Sequence, residues 1–210
     1  MTTLKEKNEN FEHYFTRNPK SELKVYEIKI KGLDIDFSIY SASGLFSKNR
    51  LDLGTKVLIK NLIYEPGWTV LDYGCGYGIV GIYLKLKEPR LKVYAVDINK
   101  RAIAITKRNI KKFGFNDFVA IRSDSLKPLI EKGIKFDAIY LNPPMTAGFD
   151  VVEKMFKEAK EALKENGIFE VVVRTIKGGK KVEKILNELF GNVEVVGKGS
   201  GFRVFLARKN

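Results

Sequence analysis

The chain has 210 residues, 44% of them hydrophobic and 30% charged, which suits one domain large enough to bury a real core. Its 38 Lys and Arg against 25 Asp and Glu leave a net charge of +13, a balance that attracts polyanions by releasing their condensed counterions. One cysteine, Cys75, and one histidine, His13, exclude an internal disulfide and argue against Cys- or His-rich metal centres and a serine-histidine triad.

Residues 1–22 are polar and carry Asn, Pro and Glu without steady periodicity, so they read as a loose or partly helical leader in which His13 is a surface residue. The opening MTTLKEKNENFEHYF lacks the apolar stretch of a signal peptide, and no apolar run of about eighteen residues occurs; the expectation is a soluble cytoplasmic protein without membrane contact. Residues 24–30 and 35–40 alternate with period two around Lys31-Gly32, which predicts a β-hairpin ahead of the main fold. Residues 1–50 are thus expected to form a leader and hairpin extension, and 51–210 the main domain.

From Leu51 the spacing Leu51, Thr55, Leu58, Leu62 gives a helical face, broken by Pro66-Gly67. Strands are then expected at 69–73, 92–97, 117–122, 136–141 and 168–174, separated mostly by helical segments. Such alternation needs crossover connections and makes a largely parallel, doubly wound sheet. The last two strands, 192–197 and 202–208, are joined by Gly197-Lys198-Gly199-Ser200-Gly201 alone, too short for a crossover, so they form an antiparallel hairpin. The expected fold is α/β, with seven strands in the main sheet.

Asp72-Tyr73-Gly74-Cys75-Gly76-Tyr77-Gly78 follows the first strand of the α/β unit and opens onto a helical stretch. Gly74, Gly76 and Gly78 let the backbone turn sharply and lie against a ligand. Gly76 to Gly81 also satisfies the dinucleotide pattern G-x-G-x-x-G, so a nicotinamide or flavin enzyme is a rival on this motif alone. Asp72 weighs against it, because a carboxylate at the strand tip repels a pyrophosphate but favours a cationic sulfonium carrying an ammonium group. The acid-x-Gly-x-Gly-x-Gly pattern resembles the first motif of class I S-adenosylmethionine-dependent methyltransferases, and the resemblance implies a Rossmann-like domain over 51–210 and that cofactor.

Asp97 ends the next strand, where an acid accepts hydrogen bonds from both ribose hydroxyls of a nucleoside cofactor; the alternative is a cap for the helix starting near Lys100. Ile98 follows it beside the same site. By resemblance, Asp124 in Ser123-Asp124-Ser125 bonds the adenine amino group.

The fourth strand of this unit runs into Asn142-Pro143-Pro144-Met145, at the carboxyl edge where open α/β sheets bind ligands. An exocyclic amino group on a base is flat and poorly nucleophilic. The Asn142 side-chain oxygen and the Pro143 carbonyl are suited to take its two protons, favouring a pyramidal nitrogen held at about 3 to 3.5 Å from the methyl group. Asn142 and Pro143 are therefore the predicted catalytic residues, with Asn142 also against the cofactor, and no strong general base is required.

Asn-Pro-Pro followed by an aromatic marks methyltransferases acting on amino groups of adenine, guanine or protein glutamine. The chain is similar over roughly residues 24–208 to the ribosomal small-subunit RNA guanine-N2 methyltransferases, through the loop, the Asn-Pro-Pro motif, Gly44-Leu45-Phe46-Ser47, Leu51-Asp52-Leu53-Gly54-Thr55 and Gly201-Phe202-Arg203-Val204-Phe205. The resemblance implies that Phe46 and Thr55 wall the cofactor and that Pro144, Met145, Phe202 and Arg203 meet the substrate. Met145 stands where the family has an aromatic that stacks on the flipped base; Phe149 and Phe202 are candidates for the missing ring.

From Arg174 on, Lys177, Lys180, Lys181, Lys184, Lys198, Arg203, Arg208 and Lys209 face only Glu183, Glu188 and Glu194, which suits an RNA backbone. The Lys100 to Lys112 helix reads instead as a solvated face. Lysine and glutamate richness without any glutamine is also a heat-adapted composition, so charge alone does not name a partner. The implied partner is RNA, ribosomal RNA or a ribosomal particle, with no metal. Rival readings are an adenine-N6 nucleic-acid enzyme, a protein-glutamine methyltransferase, and a catalytically silent RNA-binding module.

Overall fold

The computed structural model describes residues 22–45, 47 and 50–210; His13 and Phe46 lie outside the described residues. An antiparallel pair, β1 (Val25–Ile30) and β2 (Phe37–Ala42), precedes the main sheet, as the alternation predicts. Its buried Ile28, Ile30 and Ile39 join the core of the α/β unit. The buried Asn109 fixes this docking: its Oδ1 accepts the Tyr40 amide at 2.8 Å, and its Nδ2 donates to the carbonyls of Tyr40 and Tyr77, both at 2.9 Å.

The main sheet has seven strands: β3 (Thr69–Tyr73), β4 (Lys92–Asp97), β5 (Phe118–Arg122), β6 (Phe136–Leu141), β7 (Leu163–Arg174), β8 (Val193–Gly199) and β9 (Phe202–Arg208), in the order β5-β4-β3-β6-β7-β9-β8. The first five of these in sequence pair parallel, and β9 runs antiparallel between β7 and β8. β7 is counted from Leu163, ahead of the expected 168, but its register against β6 shifts and becomes regular only at Ile168. The β8–β9 connection tightens to Ser200-Gly201, both at positive φ (49° and 78°), the mirror-image turn that matches strand twist.

Alternation along each strand splits the core in two. Val70 and Asp72 face α1 (Leu53–Ile59), α2 (Ile79–Lys87) and α3 (Lys100–Phe113), whereas Leu71 and Tyr73 face α4 (Lys127–Ile130), α5 (Phe149–Ala162) and α6 (Lys180–Phe190). After β5 the chain returns to the far side of β3 as β6, and this reversal opens a crevice at the carboxyl ends of β3, β4 and β6. Among the described residues no helix is long and apolar enough to cross a membrane.

Candidate active site

The crevice is a cavity of about 440 Å³, within the range of small-molecule sites. Asp72, Gly74, Gly76, Asp97, Ile98 and Asp124 line one part of it, and Thr55, Asn142, Pro143 and Pro144 another. Of the other residues singled out from the sequence, Gly78, Met145, Phe202 and Arg203 are not in its wall.

The glycine loop is tied to the end of β4. Asp97 Oδ2 accepts the Gly76 amide at 2.9 Å, and its Oδ1 accepts the Asn99 amide at 2.8 Å. Asp97 is therefore not the cap of α3; Asn99 is, its side chain accepting from Arg101 N at 2.8 Å and Ala102 N at 3.3 Å. Burial pushes the Asp97 carboxyl up to about 6 against the opposing pull of these amides. Asp72 does not stand free at a strand tip either. It is buried on the second-last position of β3, accepts the Gly81 amide at 3.1 Å, and is raised by burial to about 7. Gly78 serves the fold: it caps α2 at φ 84°, and a Cβ there would lie 2.7 Å from Thr106 Cγ2.

Asn142 emerges from β6 toward α1. Its Nδ2 donates to Thr55 Oγ1 at 2.9 Å and to Asp52 Oδ2 at 3.1 Å, and the same Asp52 oxygen caps α1 by accepting Thr55 N at 2.9 Å. A carboxylate only accepts, so the amide is oriented with Nδ2 toward α1 and Oδ1 turned away from it. Pro143 departs from expectation. Its carbonyl accepts the Met145 amide at 2.9 Å across Pro144 (φ −75°, ψ 75°), an inverse γ-turn, so one of its two lone pairs is already used.

Met145 begins a short 3-10 turn packed on the α5–α6 side of the core, which is why it leaves the cavity wall. The Phe202 ring lies against α1, where a Cβ at Gly54 would stand 2.8 Å from its Cε1, and the Arg174 guanidinium sits 5.3 Å over it. Arg203, one residue on, points to the opposite face of β9.

Asp52, Tyr73, Lys154, Met155 and Glu158 also line the cavity and were not singled out as site residues by sequence. Glu158 Oε2 accepts the Tyr73 hydroxyl at 2.6 Å and the Leu126 amide at 3.0 Å, joining α5 to the loop beyond β5. Val151, Met155 and Glu158 recur at helical spacing, a signal that marked a face of α5 without telling core from cavity. Among the described residues no group of three or more His, Cys, Asp or Glu is arranged to hold a metal.

The cavity's chemistry fits a cationic nucleoside ligand, since a positive charge beside two buried carboxyls offsets the burial that raises them. Comparison with known proteins gives the class. Residues 36–206 match the family described as "Methyltransferase small domain". This chain belongs to that family. It is a methyltransferase whose methyl donor is S-adenosylmethionine. A Bacillus subtilis protein of uncharacterized function is 32% identical over 94% of this chain and 98% of its own length. A ribosomal RNA small subunit methyltransferase of Pseudoalteromonas translucida is 33% identical over 82% of this chain and 50% of its own. The solved T. thermophilus 16S rRNA N2 methyltransferase, in complex with AdoMet and guanosine, is 25% identical with a TM-score of 0.77, covering 91% of this chain and 52% of that one. The methyltransferase thus spans about half the length of these two ribosomal RNA enzymes.

Proposed function

We propose that this methyltransferase modifies an exocyclic amino nitrogen of a base in RNA, namely guanine N2 of small-subunit ribosomal RNA. The observation that carries this reading is the Asn142 amide. Its nitrogen is held by Asp52 and Thr55, which leaves Oδ1 as an acceptor beside the Pro143 carbonyl, in the same cavity as the glycine loop and Asp97. The similarity to ribosomal RNA methyltransferases supports the substrate class.

In this reading Asp97 accepts the ribose hydroxyls, Asp124 accepts the adenine amino group, and the loop at Gly74 and Gly76 lies along the ligand. Thr55 contributes a wall. Bound S-adenosylmethionine supplies a methyl group on a cationic sulfur. Asn142 Oδ1 and the remaining lone pair of Pro143 O accept hydrogen bonds from the two amino N–H groups of the base and turn its nitrogen lone pair toward that methyl group. Transfer of that methyl group to the nitrogen would leave the cofactor's sulfur as a neutral thioether, and the methylated nitrogen would release one proton to solvent. Pro144 packs beside the base; Met145 and Phe202 flank it from outside the cavity wall, and Arg203 serves the RNA backbone.

The test is transfer of a labelled methyl group from S-adenosylmethionine to unmodified small-subunit ribosomal RNA and particles, followed by nucleoside digestion and mass analysis. The expected product is N2-methylguanosine, lost in Asn142→Ala. Label in N6-methyladenosine or in protein glutamine would replace the substrate, absence of measurable S-adenosylmethionine binding would favour a silent RNA-binding module, and binding with no transfer would mean that the acceptor is another molecule.

A further inference from the structure

The segment leaving the carboxyl end of β7 carries the most exposed large apolar side chain among the described residues: Ile176 is 88% exposed, against 55% for Leu23, the next. A lone exposed apolar residue is ordinary on a protein surface. Its setting is not. β7 lies beside β6 in parallel, with Val171 opposite Leu141, so the loop continues past the strand end next to Asn142-Pro143-Pro144.

The loop is held from both sides. The Thr175 amide donates to the Gly201 carbonyl at 2.8 Å, and Gly178 (φ 114°) lies so close to the site's outer rim that a Cβ would stand 2.9 Å from Phe149 Cζ and 3.0 Å from Met145 Cε. Lys181 Nζ sits 4.0 Å over the Phe149 ring. Ile176 is therefore the tip of a supported ledge, with exposed Arg174, Lys177 and Lys181 around it.

A cavity at the carboxyl edge of a sheet cannot reach an amino group on a stacked base, so the base has to leave its stack and something has to fill the gap. Apolar side chains inserted between bases do this in other nucleic-acid-binding proteins. We propose that Ile176 is a wedge that enters the RNA stack beside the extruded nucleotide, while Arg174, Lys177 and Lys181 hold the neighbouring phosphates. This rests on the reading of the substrate as an RNA base.

The test compares wild type, Ile176→Ala and Ile176→Leu on two probes: folded, unmodified small-subunit ribosomal RNA, and a short single-stranded fragment of it spanning the nucleotide the wild type methylates. Ile176→Ala should lower kcat/KM at least tenfold on the folded RNA and less than twofold on the fragment, with Ile176→Leu restoring most of the loss. A 2-aminopurine next to the target should brighten on binding wild type and stay quenched with Ile176→Ala. Equal activity of Ile176→Ala and wild type on folded RNA, or equal losses on both probes, would overturn the wedge alone. A wild type that methylates neither RNA would overturn the substrate reading and the wedge with it.

Discussion

Asp52 and Asn142, ninety positions apart, share a hydrogen bond of 3.1 Å that joins the amino end of α1 to the carboxyl end of β6. The Asp52 oxygen that makes it also caps the helix, so one carboxylate both starts α1 and sets which way the Asn142 amide faces.

Asp52→Asn separates these duties. Asparagine caps as well as aspartate, so Tm should hold. Its amide, unlike a carboxylate, can donate, and the Asn142 group loses its reason to keep Nδ2 toward α1. Turnover should fall by about 10- to 100-fold, as for a small misplacement of a reacting group, with the S-adenosylmethionine dissociation constant changed less than twofold. Calorimetric binding and single-turnover kinetics on one preparation check this. A variant that loses cofactor affinity and keeps turnover would remove the positioning role.

Cofactor affinity should depend on pH in a stated direction. Burial raises Asp97 to about 6 and Asp72 to about 7, so both ionise across the neutral range, and a cationic ligand binds better to the ionised forms. The dissociation constant should fall as pH rises from 5.5 to 8 and then level. Asp97→Asn should weaken binding by about tenfold or more, the value of hydrogen bonds to a charged group, and flatten the lower part of the profile. A wild-type affinity constant across this range would refute the assignment of both acids.

Much of the architecture was legible because it is written locally. The β-α alternation and the short glycine-rich connection between the last two strands specify a parallel sheet with a terminal hairpin, and the glycine loop and Asp97 belong to one β-α-β unit. The candidate site was less legible because it is assembled across the chain. Asp52 reads as an ordinary helix cap until β6 brings Asn142 against it. Glu158 sits on a helix whose spacing reads as core packing, and its place in the cavity wall, bonded to Tyr73 and the Leu126 amide, shows that this face meets the cavity. The use of the Pro143 carbonyl by Met145 depends on the ψ of Pro144, on which sequence is silent.

Stability should also carry a pH signature, from a residue far from the chemistry. Glu170 is fully buried in β7; one oxygen accepts the Ile63 amide at 2.8 Å, the other has no partner among the described residues, and burial raises the group to about 8 from 4.5. The folded state keeps this proton where the unfolded chain has lost it, so the stability it contributes is complete below pH 4.5 and lost as pH rises to about 8. Asp72 and Asp97 act with the same sign at lower pH. Glu170→Gln keeps the acceptor and removes the charge, so its Tm at pH 8.5 should exceed that of wild type, with no difference at pH 4. If the variant keeps the wild-type decline in Tm above pH 7, another group is responsible.

Two glycines of one motif should fail in opposite ways. At Gly78 a methyl group meets Thr106, whose hydroxyl donates to the Gly76 carbonyl at 3.0 Å, and φ is 84°. Gly78→Ala should cost about 1–3 kcal/mol from backbone strain, with the Thr106 contact adding to it, and lower Tm by several degrees. At Gly76 a Cβ finds nothing within 4 Å, but the residue lines the cavity at φ 57°. Gly76→Ala should show only the milder strain in Tm and at least a tenfold loss of S-adenosylmethionine affinity, because the added methyl occupies space a ligand backbone contact needs. Thr106→Ser removes the Cγ2 that Gly78→Ala would strike and should recover part of that variant's Tm while leaving Gly76→Ala unimproved. The reverse pattern, affinity lost at Gly78 and stability lost at Gly76, would mean that the ligand approaches the loop from the α3 side, between the motif and Thr106.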